Sequence, residues 1–216
     1  RNFGYFEETL AHLERLFGVR PEAVISDLHP DFRTTRYASG LGIPHHRVQH
    51  HFAHILAPLL EHGVIPEKKV LGVALDGYGY GDDGTAWGGE FLLADYHGYE
   101  RLARFKPVPL PGGDLAAREP WRMALAYLAE AYGAAAAPGP AALRKVGAAR
   151  RAAVFGMVRR GVRSPLASSC GRLFDAVSFL CGTAPEAMEY EAEAAMRLEA
   201  AAGGRAAGSY PVALSS

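Results

Sequence analysis

A chain of 216 residues, 49% hydrophobic and 21% charged, has the makings of one large globular domain or two modest ones. Lysine plus arginine and aspartate plus glutamate balance at 23 each, so no global field favours a nucleic acid or an anionic membrane. Apolar runs stop well short of the about 18–20 residues of a membrane helix, no signal-peptide core opens the chain, and Cys170 and Cys181, outside any CxxC, suit a reducing cytoplasm rather than a disulfide framework.

"YFEETLAHLERLFG" spaces Phe6, Leu10, Leu13, Leu16 and Phe17 for an amphipathic helix closed by Gly18. "PEAVISDLHP" predicts a short buried strand over residues 23–26, "DFRTTRYASGLG" a short helix, and "IPHHRVQ" a second strand. That strand feeds the helix of "HHFAHILAPLLEHG", which Gly63 terminates. "KKVLGVALDG" is the strongest strand pattern; residues 70–75 are apolar throughout, which predicts cover on both faces. It runs into Asp76 and Gly77.

"GYGYGDDG" then leads into "TAWGGEFLLADY", predicting two antiparallel strands joined by a tight turn with Trp87 in the hairpin packing. "YERLARFKPVPL" offers a third strand. From residue 114 the chain turns alanine-rich and helical, with "AYGAAAAPGP" as a low-complexity loop and a basic face in "RKVGAARRAAVFGMVRR" that reads as solvated helix surface. In "SSCGRLFDAVSFLCG" Phe174, Val177 and Leu180 are expected to form the buried face, with both cysteines as small core residues. "SYPVALSS" reads as the start of a strand, and both chain ends look cut, so a fragment of something larger is expected. The order gives an α/β core over residues 1–113 and a mainly helical part of the same region over residues 114–216.

Three features carry chemistry. His50 and His54 stand at i and i+4 at a helix start, which stacks two imidazoles on one face. Two converging neutral imidazoles begin a transition-metal site; the same spacing also arises at an ordinary capped or solvated helix start. Asp76 ends a buried strand, where open α/β sheets place ligands, and the glycines after it let backbone N–H groups approach an oxyanion. A plain hairpin turn with acidic decoration fits that stretch too. If the strands are neighbours, two nitrogens and one oxygen face one point and suit Fe(II), Zn or Mn. In "GRLFD", Gly171 admits a ligand near helix N-terminal amides and Asp175 can bind ribose hydroxyls, or else both are ordinary helix-start residues. No G-x-S-x-G elbow is present.

Taken together, "RVQHHFAHI", "VLGVALDGYGYGDDGTAWGGEFLLAD", "LPGGDLAAREPWRMA" and "SSCGRLFDAVSFLCG" resemble the C-terminal part of the HypF family, the carbamoyltransferases of [NiFe]-hydrogenase maturation. At longer range they are similar to tRNA threonylcarbamoyl-transfer and antibiotic O-carbamoyltransferase enzymes. The resemblance implies an actin/Hsp70-like duplicated ATPase fold, present in part. It implies a carbamoyl-adenylate made from carbamoyl phosphate and ATP, with Mg²⁺ as a companion of the nucleotide, and transfer to the C-terminal cysteine thiol of a HypE-like partner for cyanide synthesis. It implies a divalent metal, iron or zinc, on His50, His54 and Asp76, with Asp76 in the catalytic position. Gly77, Tyr78 and Gly79 would lie along the phosphate, and Gly171 and Asp175 at the adenosine end. A homodimer is compatible with all of this.

The chain departs from that family at Phe52, where a third consecutive histidine is usual, and at Ala192, where "YEAEAA" replaces the common "YEGQAA" and its glycine. A first phosphate-binding hairpin is expected before residue 1 and a further metal-ligand aspartate beyond Ser216. Two other readings stay open: an actin-fold ATPase or sugar-type kinase anchoring Mg²⁺ on Asp76, and a non-catalytic docking fragment.

Overall fold

A computed structural model describes residues 2–133, 140–204 and 208, and the chain forms two units. "SYPVALSS" and most of "AYGAAAAPGP" lie outside the described residues.

Unit 1 comprises Arg1–Ala74 and Gly79–Ala103. Helix α1 (Asn2–Phe17) ends where Gly18 turns to φ +62°. Its apolar stripe is less enclosed than its spacing predicts: no residue of α1 is buried, and Leu16 and Phe17 are exposed. Edge-on contacts of Phe3 and Phe6 with Tyr37 of α2 (Arg33–Ser39) tie the two helices together. Strands β1 (Val24–Asp27) and β2 (His45–Val48) pair in parallel, Asp27 opposite Val48, with α2 in the crossover that parallel pairing needs.

Gln49 then caps α3 (His50–Glu61), its side chain accepting from the Phe52 amide at 2.8 Å, while its Nε2 donates to the Tyr80 carbonyl at 3.0 Å. One residue thus starts the helix and ties it to β3 (Val70–Tyr80). β4 (Ala86–Asp95) lies beside β3, and β5 (Gly98–Arg104) beside β4. The connection between β3 and β4 is short enough only for antiparallel neighbours. Ile55, Leu59, Trp87, Leu92 and Ala94 form the core between α3 and this sheet.

Cover on both faces of β3 is not what the structure has. Period-two alternation turns Gly72 and Ala74 inward and leaves Leu71, Val73 and Leu75 50–60% exposed. An unbroken apolar run cannot by itself tell a strand covered twice from one covered once.

Unit 2 comprises Leu75–Tyr78 and Arg104–Ser216. β6 (Val108–Pro109) pairs antiparallel with β7 (Leu166–Ala167). Around it fold α4 (Asp114–Arg118), α5 (Pro120–Tyr132), α6 (Ala148–Arg160), α7 (Cys170–Leu180) and α8 (Glu193–Ala202). Their core gathers on Trp121 with Leu125, Leu143, Val146, Val154 and Phe179. In α6 Val154 is the one fully buried side chain, so the basic helix is largely solvated, as its charge predicts.

α7 faces inward differently from its sequence expectation. Ala176, Phe179 and Asp175 are buried, whereas Phe174 and Val177 are 47% and 38% exposed. Cys170 is buried but Cys181, at the helix C-cap, is exposed, so only one cysteine is a core residue. The helix has apolar residues nearly all round, and the site against which it packs, not the pattern, selected its inner face.

Candidate metal centre

The N-terminal turn of α3 presents its imidazoles as the i, i+4 spacing requires. The His50 and His54 rings lie 4.8 Å apart between centroids, and their Nε2 atoms stand at 3.2 Å. Both line a groove of about 390 Å³ together with Ile25, Ser26, Asp27, Val48, Ala53 and Ala57.

β3 approaches this turn closely because two of its glycines have no side chain. A Cβ on Gly72 would collide with Ile55, and one on Gly79 would meet His51 and the His50 Cδ2, the latter at 2.8 Å. One ligand atom each from His50, His54 and Asp76 lies within 4.8 Å of the others. A cation bound at about 2.0–2.2 Å spaces its ligands by no more than about 4.4 Å, close to the spacing of this trio. The donor set of two imidazoles and a carboxylate fits iron or zinc. Asp76 Oδ1 also accepts from the Gly77 amide at 2.6 Å, which turns that amide toward the carboxylate.

Asp27 was not among the residues singled out from the sequence. Its Oδ2 lies 2.7 Å from His50 Nδ1, and its Oδ1 accepts from the His29 amide at 2.7 Å. The signal was there in "SDLHP": an acid at the end of the strand paired with the one that enters α3.

His51 is fully buried, its Nδ1 3.1 Å from Gln49 Nε2 and its ring near Trp87. Trp87 anchors the β3–β4 hairpin. Its indole N–H donates to Asp83 at 2.8 Å, and the Arg101 guanidinium lies 3.8 Å over its ring. Arg101 in turn binds buried Glu90 at 2.6 Å and Asp83 at 3.1 Å. Burial pushes the Asp83 carboxyl up, but hydrogen bonds from Thr85 and Trp87 and the charge of Arg101 outweigh it and hold it at about 2.

The remaining singled-out residues gather in unit 2. Ser169 caps α7 by accepting from the Arg172 amide at 3.0 Å and donates its hydroxyl to the Gly77 carbonyl at 2.7 Å. The bare Cα of Gly171 faces Gly77, so the space it leaves is filled by backbone. Tyr78 is exposed. Asp175 is buried 2.8 Å from Arg172; burial lifts its carboxyl to about 6, against the opposing pull of Arg172. Arg172 also lines a groove of about 340 Å³ with Arg118, Tyr190 and Ala192. Among the described residues, no helix is long and apolar enough to cross a membrane.

The model of the carbamoyltransferase Kae1-like domain, second subdomain, matches residues 72–216, and that of the HypF Kae1-like domain matches residues 1–61. The chain belongs to the HypF carbamoyltransferase family. It is 50% identical to carbamoyltransferase HypF2 of Cupriavidus necator, aligned over 89% of this chain and 23% of that protein. It is 48% identical to carbamoyltransferase HypF of Rhodobacter capsulatus, over 91% and 27%. The probable carbamoyltransferase HypF of Methanocaldococcus jannaschii is 34% identical over 91% of this chain and 26% of its own length. The chain therefore spans about a quarter of the length of these curated relatives. The crystal structure of full-length HypF in the phosphate- and nucleotide-bound form superposes with a TM-score of 0.83 at 36% identity, covering 91% of this chain and 30% of that one. The mixed α/β, actin-like fold expected from the sequence is the fold of the HypF Kae1-like domain.

Proposed function

We propose that this chain is the part of a HypF protein that holds a carbamoyl-adenylate and passes its carbamoyl group to a thiol. The observation that carries the reading is the convergence of His50, His54 and Asp76 within 4.8 Å, in a chain of the carbamoyltransferase family. A divalent iron or zinc ion bound there would supply a Lewis acid for the carbamoyl carbonyl or the departing phosphate.

The chain's own residues have the following parts. Gln49 fixes the start of α3 and so the direction of both imidazoles, and Asp76 meets them from β3. The amides of Gly77 and Gly79, with Tyr78 between them, would take phosphate oxygens; the Gly77 amide is shared with Asp76. Gly171 and Asp175 would stand at the adenosine end; nearby in sequence, Arg172 lines a groove of mixed charge with Arg118, Glu189 and Glu191. The thiol of an acceptor's C-terminal cysteine, HypE-like in this reading, forms the new C–S bond. The mixed-anhydride C–O bond breaks, AMP leaves with its electron pair, and the thiol proton passes to solvent. No nucleophile is then required of this chain, in keeping with the absence of a serine elbow.

Protein bearing this sequence, given ATP with Mg²⁺, carbamoyl phosphate and an acceptor ending in cysteine, should add the mass of one carbamoyl group to the acceptor's C-terminal peptide. His54→Ala should abolish both that addition and metal retention. A variant that keeps full transfer without metal would overturn the reading.

A further inference from the structure

We infer that Asp27 is a positioning residue of the metal centre, holding His50 in the tautomer that offers Nε2 as a ligand. The inference rests on the metal reading of His50, His54 and Asp76 and deepens it. A neutral imidazole carries one proton on one of two nitrogens, and the group facing one nitrogen decides which. Asp27 Oδ2, an acceptor, stands 2.7 Å from His50 Nδ1. The proton therefore sits on Nδ1, and the Nε2 lone pair is directed along the groove toward His54 Nε2 at 3.2 Å. Carboxylate and ligand point thus stand on the two nitrogens of one ring, the arrangement by which outer groups orient and strengthen metal-binding histidines.

Asp27 is itself held. Its Oδ1 takes the His29 amide at 2.7 Å, and its carbonyl accepts from the hydroxyl of Thr35, a residue 1% exposed. The parallel register sets Asp27 opposite Val48, and the Leu28 amide donates to the Val48 carbonyl at 3.0 Å. The strand end that carries the carboxylate is thereby locked to the strand end that delivers His50. With side-chain exposures of 18% for Asp27 and 30% for His50, the contact is partly shielded from water.

Asparagine at this position separates orientation from folding. With Oδ1 kept on the His29 amide, Asp27→Asn turns an NH₂ donor toward His50 Nδ1. The imidazole must then accept there and carry its proton on Nε2, the nitrogen needed by the metal. ¹⁵N NMR of the imidazoles in the metal-free 216-residue chain should report the Nδ1–H tautomer for His50 in the natural sequence and Nε2–H in Asp27→Asn. Co(II) titration followed by its visible bands should show affinity about 10–100-fold lower in Asp27→Asn, with an unchanged far-ultraviolet dichroism spectrum. Asp27→Ala, which removes the acceptor without supplying a donor, should give a mixture of tautomers and a smaller loss. An Nε2–H tautomer in the natural sequence, or undiminished Co(II) affinity in Asp27→Asn while His54→Ala loses it, overturns the role of Asp27 alone. Undiminished affinity in both His54→Ala and Asp76→Ala removes the metal reading and this role with it.

Discussion

Gly171 faces Gly77 so closely that a Cβ on Gly171 would stand 2.8 Å from the Gly77 Cα. The first turn of α7 rests directly on the backbone after Asp76, and Ser169 fastens it there through the Gly77 carbonyl. Backbone atoms cannot yield as a flexible side chain would. Gly171→Ala should therefore destabilise the chain by about 1–3 kcal/mol, read as a lower urea midpoint. Gly156→Ala, where a Cβ meets nothing within 4 Å of an exposed helix, should be neutral or mildly stabilising.

Ala192 occupies the left-handed region, φ +61° and ψ +11°, at the residue before α8. An L-residue with a Cβ is held there at about 1–2 kcal/mol, and glycine restores about 0.5–1 kcal/mol of that as unfolded-chain entropy. The balance favours Ala192→Gly by up to about 1.5 kcal/mol, measured as a higher thermal midpoint. Ala192 is also the position where the family resemblance leads one to expect glycine. No rise in midpoint would mean that the backbone there relaxes without cost.

Arg101 is the cation of the hairpin: it binds Glu90, whose side chain is fully buried, and covers the face of Trp87. Arg101→Ala takes the guanidinium away from Glu90, whose carboxylate also accepts from the Gly88 and Gly89 amides at 3.1 and 3.3 Å. Removing one partner of a buried charge pair costs about 3–5 kcal/mol. The double variant Arg101→Met, Glu90→Leu should recover much of this, because both charges are then gone; denaturation of the three proteins at one pH checks it.

Asp175 makes stability depend on pH. Its folded-state carboxyl is raised from 3.8 to about 6, so the native chain holds a proton that the unfolded chain has already lost. Its contribution is complete below about 4 and disappears as pH rises toward 6, a loss of at most about 3 kcal/mol. Between pH 4 and 6.5 the natural sequence should therefore lose stability relative to Asp175→Asn, which cannot titrate. Parallel urea curves at the two pH values decide it; a constant difference between the proteins contradicts the assignment.

How legible this molecule is in its sequence depends on the range of the interaction concerned. Local rules act over a few residues, and they reached far. Helical spacing located α1, α3 and α7, and an i, i+4 pair put His50 and His54 on one face wherever α3 was going to lie. The glycine of "GRLFD" read as admitting a ligand near helix N-terminal amides, and the neighbour that the fold brings to it is the Gly77 backbone. The alternating exposure of β3 and the inner face of α7 were not legible. Leu71, Val73, Leu75, Phe174 and Val177 are apolar enough to be inside, and only the element on the other side determines whether they are.

The sequence by itself located the longer helices and strands, and the side chains capable of binding a metal; the short β7 and the break between α4 and α5 were not read from it. Only the tertiary structure decided which of those side chains meet. Asp27 and His50 are 23 positions apart, and their contact exists because β1 and β2 pair in one register. A slip of one residue would turn Asp27 to the opposite face of its strand. Periodicity is a property of a segment, whereas register and strand order are properties of the whole folded chain, set by which arrangement buries the core at Ile55, Leu59 and Trp87.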